Sequence, residues 1–338
     1  MAKNYRNAIR EYVYTGPLAE PIRSFVDEKR RIGYKFNSEA QMLRELDRFA
    51  EANGCPVNRL TREIVLLWNE KQATHSTKTH RTRWCAIHQL SEYMAKHGYE
   101  AYIPAPLGTA ICEHGAFVPY IFSDNELRGF FQQIDNLRNW NYSPYQHLFY
   151  PLLFRLLYAC GLRLNEALTI KIQDVDLASG ILTIRGAKFD KDRLVPMSES
   201  LRCRCQAFMD ARHKAPNPES LFFPATDGMV YSHGTIYAKY REALKNAGIS
   251  YGGRKHGPRI HDFRHTFAVH CLRRWMRDGT DVENAMLYLS AYMGHVNTSG
   301  THTYLRLTAE LFPEIIAKVE AFAGNVVPRL DGDDYENH

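Results

Sequence analysis

HDFRHTFA, residues 261–268, places His261, Arg264 and His265 at i, i+3 and i+4. That spacing puts all three on one face of a helix and turns Asp262 away from it, toward a structural role. Upstream, CGLRLNEAL (160–168) sets Arg163 just after Gly161, at a break between two helices, with Glu166 one turn on to orient that turn. RGAKFDKDRLVP (185–196) reads as a β-hairpin with Lys188 in its turn and Lys191 three residues further. Downstream, YMGH (292–295) places His295 after Gly294, a helix-ending glycine, and nine residues before Tyr304 in THTYLRL (301–307). Two guanidiniums, an ammonium, two imidazoles and a phenol are the groups that attack on a phosphodiester needs. Arginine forks match phosphate oxygens, lysine or histidine moves protons, and a phenol can form a covalent intermediate.

Each piece alone has a plainer reading. Arg163 can simply pair with Glu166, and a lysine in an exposed turn is usually solvated surface. His295 can be a capping or core histidine. Tyr304 is one of 20 tyrosines and can be a half-buried aromatic. His261 and His265 have the helical spacing of two zinc ligands. The glutamate of H-E-x-x-H is missing, however, and Arg264 between them repels a cation, so no metal or other cofactor is expected. The conjunction of the pieces, in this order, carries the catalytic reading.

Composition fits that reading without demanding it. The 338 residues suffice for two cores, and 45% apolar with 24% charged residues describes an ordinary globular chain. Net charge is +6, and residues 1–105 hold 17 Lys+Arg against 12 Asp+Glu, a local +5. A mildly basic chain permits a nucleic-acid partner. Basic residues beside Ser and Thr occur in THSTKTHRTR and YGGRKHGPR, which makes Lys78, Arg81, Arg83, Arg254, Lys255 and Arg259 candidate phosphate contacts. Seven cysteines, an odd number without C-x-x-C, point to a reducing, cytoplasmic setting. No apolar run follows the opening charges as in a signal peptide. The most apolar stretch, HLFYPLLFRLLYACGL, is interrupted by Arg155 and too short to span a bilayer.

The chain reads as mainly α with a small antiparallel β-sheet. Four helical stretches fill residues 17–99, with Gly33, Gly54 and Gly98 as stops and an Asn/Ser cap opening the second, which suggests a small bundle. Residues 106–121 break periodicity and form the expected linker after an N-terminal domain of residues 1–105. The second domain, 122–325, opens with a capping box at Ser123–Glu126, turns to β between Leu168 and Met197, and is otherwise helical. Residues 326–338 form an acidic tail expected to be disordered.

GLRLNEAL, GAKFDKDRLVP, HDFRHTFA, and MGH followed by Tyr304 together resemble the tyrosine recombinases, or phage integrase family, over residues 120–318. The resemblance implies an N-terminal helical core-binding domain and an α+β catalytic domain. It also implies roles. Tyr304 attacks the scissile phosphate, leaving a 3′-phosphotyrosyl bond; Arg163 and Arg264 clamp that phosphate; His261 and His295 bond it or pass a proton. Lys188, or Lys191, protonates the leaving 5′ oxygen. It implies double-stranded DNA as partner, a two-domain clamp, and a homotetramer on two duplexes, DNA-associated in the cytoplasm, with no membrane. The tail helix LFPEIIAKVEAFAG packs on a neighbour or closes its own domain. A type IB topoisomerase-like or hairpin-forming enzyme shares this chemistry, and a non-catalytic DNA-binding protein shares the charge.

Overall fold

The computed structural model describes residues 9–70, 77–105, 118–138, 143–186, 192–253, 257–294 and 304, without the side chains of 77, 78, 282 and 283. The chain divides into two compact units, Met1–Phe117 and Val118–His338.

In the first unit the helical spacing of apolar residues buries one face of each of α1 (Ala19–Arg31), α2 (Asn37–Ala52), α3 (Arg62–Asn69) and α4 (Thr77–Lys96). Leu18, Ile22, Leu43, Leu46, Val65, Ile87, Leu90 and Met94 form a core from which water is excluded. Two residues on either side of the last helices, β1 (Arg59–Leu60) and β2 (Glu100–Ala101), pair in parallel. The expected Asn/Ser cap of α2 is corrected. Phe36 takes the cap position with φ of 49°, while Asn37 lies inside the helix and its Oδ1 accepts from the Arg10 amide at 2.9 Å. The Phe36 ring meets Phe25 edge-on at 5.5 Å, so an aromatic contact replaces the polar cap. Asp47 is the buried polar anchor of this unit. Its carboxylate accepts the amides of Gly16 at 2.8 Å and Leu18 at 2.9 Å, fixing the start of α1.

The second unit opens with α5 (Asp124–Asp135), capped by the reciprocal Ser123–Glu126 box. α6 (Gln146–Ala159) follows, buried nearly all round and carrying Pro151 inside it. Then come the short α7 (Leu164–Thr169) and a sheet of β3 (Val175–Asp176), β4 (Ile181–Ile184) and β5 (Arg193–Pro196). The sheet is antiparallel in the order β3-β4-β5, with Leu182 opposite Val195 and Ile184 opposite Arg193. The Gly186 amide donates to Asp192 Oδ1 at 2.9 Å and closes the mouth of the hairpin. α8 (Glu199–Arg212), α9 (His233–Asn246), α10 (Asp262–Arg277) and α11 (Val282–Met293) complete the described elements. Phe122, Phe130, Phe154, Tyr240 and Phe263 meet ring to ring at the centre. Arg155, which interrupts the apolar stretch, leaves the core to pair bidentately with Asp135 at 2.7 Å. Among the described residues no helix is long and apolar enough to cross a membrane. The acidic tail and the LFPEIIAKVEAFAG segment lie outside the described residues.

Replacing Asp47 by Ala leaves one buried and one partly buried amide without their acceptor. We expect a loss of about 1–3 kcal/mol in the first unit's stability, read from urea denaturation.

Candidate active site

The site is assembled around α10, which the core pins first. Phe263 is fully buried and its ring stacks on Phe122 at 5.0 Å. Buried Asp262 has the structural role its position predicts: it accepts the Arg259 amide at 2.7 Å and Arg259 Nη2 at 3.0 Å, bracing the turn that enters the helix. Thr266 Oγ1 donates to the Asp262 carbonyl at 2.8 Å and accepts the Phe122 amide at 3.1 Å.

Arg264 on this helix is 1% exposed. Its Nη1 donates to the carbonyl of Gly161 and its Nη2 to that of Met293. One guanidinium thus satisfies the terminal carbonyl region of both α6 and α11. Burial, and then the positive charge of Arg163, lowers its pKa to about 9, which leaves it cationic at neutral pH. Gly161 has φ of +58°, and a Cβ there would stand 2.8 Å from the Phe267 ring, so the break that precedes Arg163 requires glycine.

Arg163 is the first residue before α7 and pairs with Glu166 as the plainer reading has it. Glu166 Oε2 accepts the Arg163 amide at 2.8 Å, and Oε1 accepts Arg163 Nη1 at 2.7 Å. The same carboxylate is gripped from the other side by Arg193, at 3.0 Å and 2.7 Å. Glu166 therefore lies between two guanidinium forks, and Arg163 still has 31% of its side chain exposed for a ligand. Burial by itself would raise the Glu166 pKa. Hydrogen bonds and charge from Arg193, then Arg163, reverse this and bring it to about 2. Arg193 also donates from Nε to the Tyr292 carbonyl at 3.0 Å. A Cβ on Gly294, whose φ is +66°, would stand 3.1 Å from Arg193 Nη1. Arg193 so joins β5 to α7 and to the end of α11.

Tyr304 is 3% exposed, packed with Ala268, Val269, Leu272, Met286, Leu289 and Met293. Its hydroxyl stands 3.1 Å from His265 Nδ1. Burial raises the phenol's pKa, while the charges of Arg264 and Arg163 pull it down, so the phenol and both arginines share one neighbourhood. His261 meets His265 edge-on, ring centroids 4.8 Å apart. Its pKa falls to about 4, through desolvation of the ring and then repulsion by His265, Arg264 and Arg163. The residue retains an exposed surface, so solvent moderates both the desolvation and the repulsion. A neutral imidazole facing the cations is the result.

The structure thus brings together Arg163, His261, Arg264 and Tyr304. Lys188, its alternative Lys191, His295, Arg254 and Lys255 lie outside the described residues, as does the side chain of Lys78. Arg81 is exposed on α4. Arg259, half-exposed, is committed to Asp262. Arg83 is corrected as a phosphate contact. It is 8% exposed, donates to the Trp68 carbonyl at 2.9 Å and lies 3.5 Å over the Trp68 ring. Its helix position turns it inward, where cation–π contact and a carbonyl hold it. Sequence reasoning missed Arg193. The alternation of β5 offered a signal: Val195 is fully buried and Leu194 63% exposed, so the charge at 193 falls on the inward side. It gave no hint of the partner, Glu166, 27 residues away.

Residues 128–310 match the model of the phage integrase family, more than half of the chain. The chain belongs to the phage integrase family. This integrase is 30% identical to the Sinorhizobium fredii protein y4rB, which carries an integrase/recombinase name, over 89% of this chain and 96% of the relative. It is 28% identical to the tyrosine recombinase XerA of Pyrococcus horikoshii, over 60% of this chain and 62% of that one. In fold it is similar to the XerH site-specific recombinase bound to its palindromic difH substrate. That match has a TM-score of 0.61 and 19% identity, covering 87% of this chain and 83% of that one. The Tn1549 transposon integrase in complex with circular-intermediate DNA also gives 0.61, at 16% identity over 84% and 94% of the two chains.

Glu166 contributes its stability above the ordinary carboxylate pKa of 4.5 and loses it as pH falls through about 2. Glu166→Gln leaves Arg193 buried without its counter-charge. We expect it to destabilise the integrase at pH 7 by about 3–5 kcal/mol and to flatten the acid limb of a melting-temperature-versus-pH curve.

Proposed function

We propose that this integrase cuts and rejoins double-stranded DNA through a covalent bond to Tyr304. The observation that carries the reading is the phenol's placement: its hydroxyl lies at His265, in the field of Arg163 and Arg264. Tyr304 Oη attacks the scissile phosphorus, the bond to the 5′ oxygen breaks, and a 3′-phosphotyrosyl ester remains with a free 5′-hydroxyl. A 5′-hydroxyl from a partner strand then attacks the ester and releases the tyrosine. Each step exchanges one phosphodiester for another, so bond energy is conserved and no nucleotide hydrolysis is called for. Arg163, its side chain partly exposed, binds the non-bridging oxygens and stabilises charge that grows in the transition state. His261, neutral at pH 7, donates one N–H to the same phosphate. Arg264, whose terminal nitrogens also donate to two carbonyls, contributes positive charge to the same phosphate. Lys188 or Lys191 on the hairpin turn supplies the leaving-group proton, and His295 adds a hydrogen bond to the phosphate. The relatives named as recombinases and the DNA-bound neighbours support this substrate class. The assembly we propose is a homotetramer on two duplexes.

A recombination site recovered by binding selection from random duplexes, then nicked beside the cleavage position, traps the covalent product. We expect the adduct to map to Tyr304, and Tyr304→Phe to bind the same DNA with no adduct. Adduct on another residue refutes the assignment. Binding should weaken steeply and log-linearly with salt, because phosphates are the main contacts. Arg83→Gln should leave that slope unchanged while lowering the melting temperature, since its guanidinium serves the core.

A further inference from the structure

The reaction proposed above needs a destination for the phenol's proton. Tyr304 is 3% exposed, so bulk water is largely shut out from it. The guanidiniums of Arg163 and Arg264 can stabilise a phenolate, yet they remain cationic and accept no proton. His261 meets the ring of His265 edge-on at 4.8 Å, and desolvation and the neighbouring cations disfavour its protonation. His265 is placed differently. Its Nδ1 stands 3.1 Å from Tyr304 Oη, with ring centroids 5.6 Å apart. It is carried by the first turn of α10, the turn fixed by buried Phe263, by Asp262 and by both bonds of Arg264. The atom that would receive the proton is therefore held on a rigid element, within the reach that proton transfer needs.

We infer that His265 is the general base for Tyr304, a catalytic residue of this integrase; the inference rests on the strand-transfer reading of the same site. In the neutral ring with its proton on Nε2, Nδ1 is the acceptor and Tyr304 the donor. As the bond from Oη to phosphorus forms, the phenolic proton moves to Nδ1 and His265 becomes imidazolium. The bond from phosphorus to the 5′ oxygen breaks with its electron pair on that oxygen, which is protonated by the hairpin lysine. In the return step the 5′-hydroxyl attacks, its proton goes back to the lysine, and Nδ1–H returns the first proton to the departing Tyr304 oxygen. The negative phosphodiester bound between Arg163 and His261 offsets the charge His265 acquires. Sequence spacing set His265 on the face with His261 and Arg264 but assigned it no task, since its partner lies 39 residues away.

Asparagine separates a base from a hydrogen-bonding prop, because its Oδ1 accepts a hydrogen bond near the place of Nδ1 but takes up no proton. Full-length parent and His265→Asn proteins are compared on the nicked duplex, once with the natural oxygen and once with sulfur in place of the 5′-bridging oxygen. Sulfur leaves without an acid, so it relieves the loss of the hairpin lysine and does nothing for the loss of a base. We expect His265→Asn to bind DNA as the parent does and to form the Tyr304 adduct about 100-fold more slowly or worse, on both substrates. A rate within about three-fold of the parent overturns the inference and leaves the strand-transfer reading standing. Rescue by sulfur also overturns it, by assigning His265 to the acid side. No adduct at Tyr304 in the parent itself is a different failure, that of the strand-transfer reading. If the Asn protein melts early, His265→Gln carries the same comparison.

Discussion

A single buried guanidinium holds the candidate site of the second unit together. Arg264 offers two terminal nitrogens, and they go to the carbonyls of Gly161 and Met293. Met293 ends α11, where the backbone has no intrahelical donor left to meet its carbonyl, and Gly161 lies just beyond the cap of α6. Removing water from an arginine is unfavourable unless its donors are met. Here two unsatisfied acceptors and one desolvated cation answer each other. The consequence is spatial. The end of α6 carries Arg163 two residues beyond Gly161, and the end of α11 leads toward His295 and Tyr304. One guanidinium is thus the tie that draws three separate segments together.

Around that tie runs a second polar network, anchored on Glu166. The carboxylate sits between Arg163 and Arg193, and its depressed pKa follows from that double grip. Because Arg193 stands at the end of β5, opposite Ile184, the hairpin is locked to the helix break that presents Arg163. Arg193 thus fixes β5 to the segment that carries Arg163. Positive charge dominates the region, and it is tolerated because each buried arginine has an oxygen to face. Desolvation, and then this crowding of positive charge, disfavours protonation of the His261 imidazole.

Much of this is legible in the amino-acid sequence itself. Helical spacing located the four helices of the first unit, glycine stops ended three of them, and Ser123–Glu126 announced the capping box of α5. Period-two alternation located β4 and β5. The order of Arg163, His261, Arg264 and Tyr304 carried the family and the chemistry. Two readings failed and one residue was missed, for one reason. Asn37 lost the cap to Phe36, Arg83 went inward onto Trp68, and Arg193, assigned no role, took Glu166 as partner. In each case a contact between residues distant in sequence outweighed a local preference worth about 1 kcal/mol.

Local order and residue type therefore determined which elements form and which side chains can bind or break a phosphodiester, since propensity, periodicity and functional-group chemistry reside in neighbouring residues. Only the tertiary structure decided which polar groups meet: His265 with Tyr304 across 39 residues, and Arg264 with Gly161 across 103. Those pairings arise from burying the apolar faces of several helices at once. A buried donor must then find whatever acceptor the packing leaves beside it, and no stretch of sequence names that acceptor in advance.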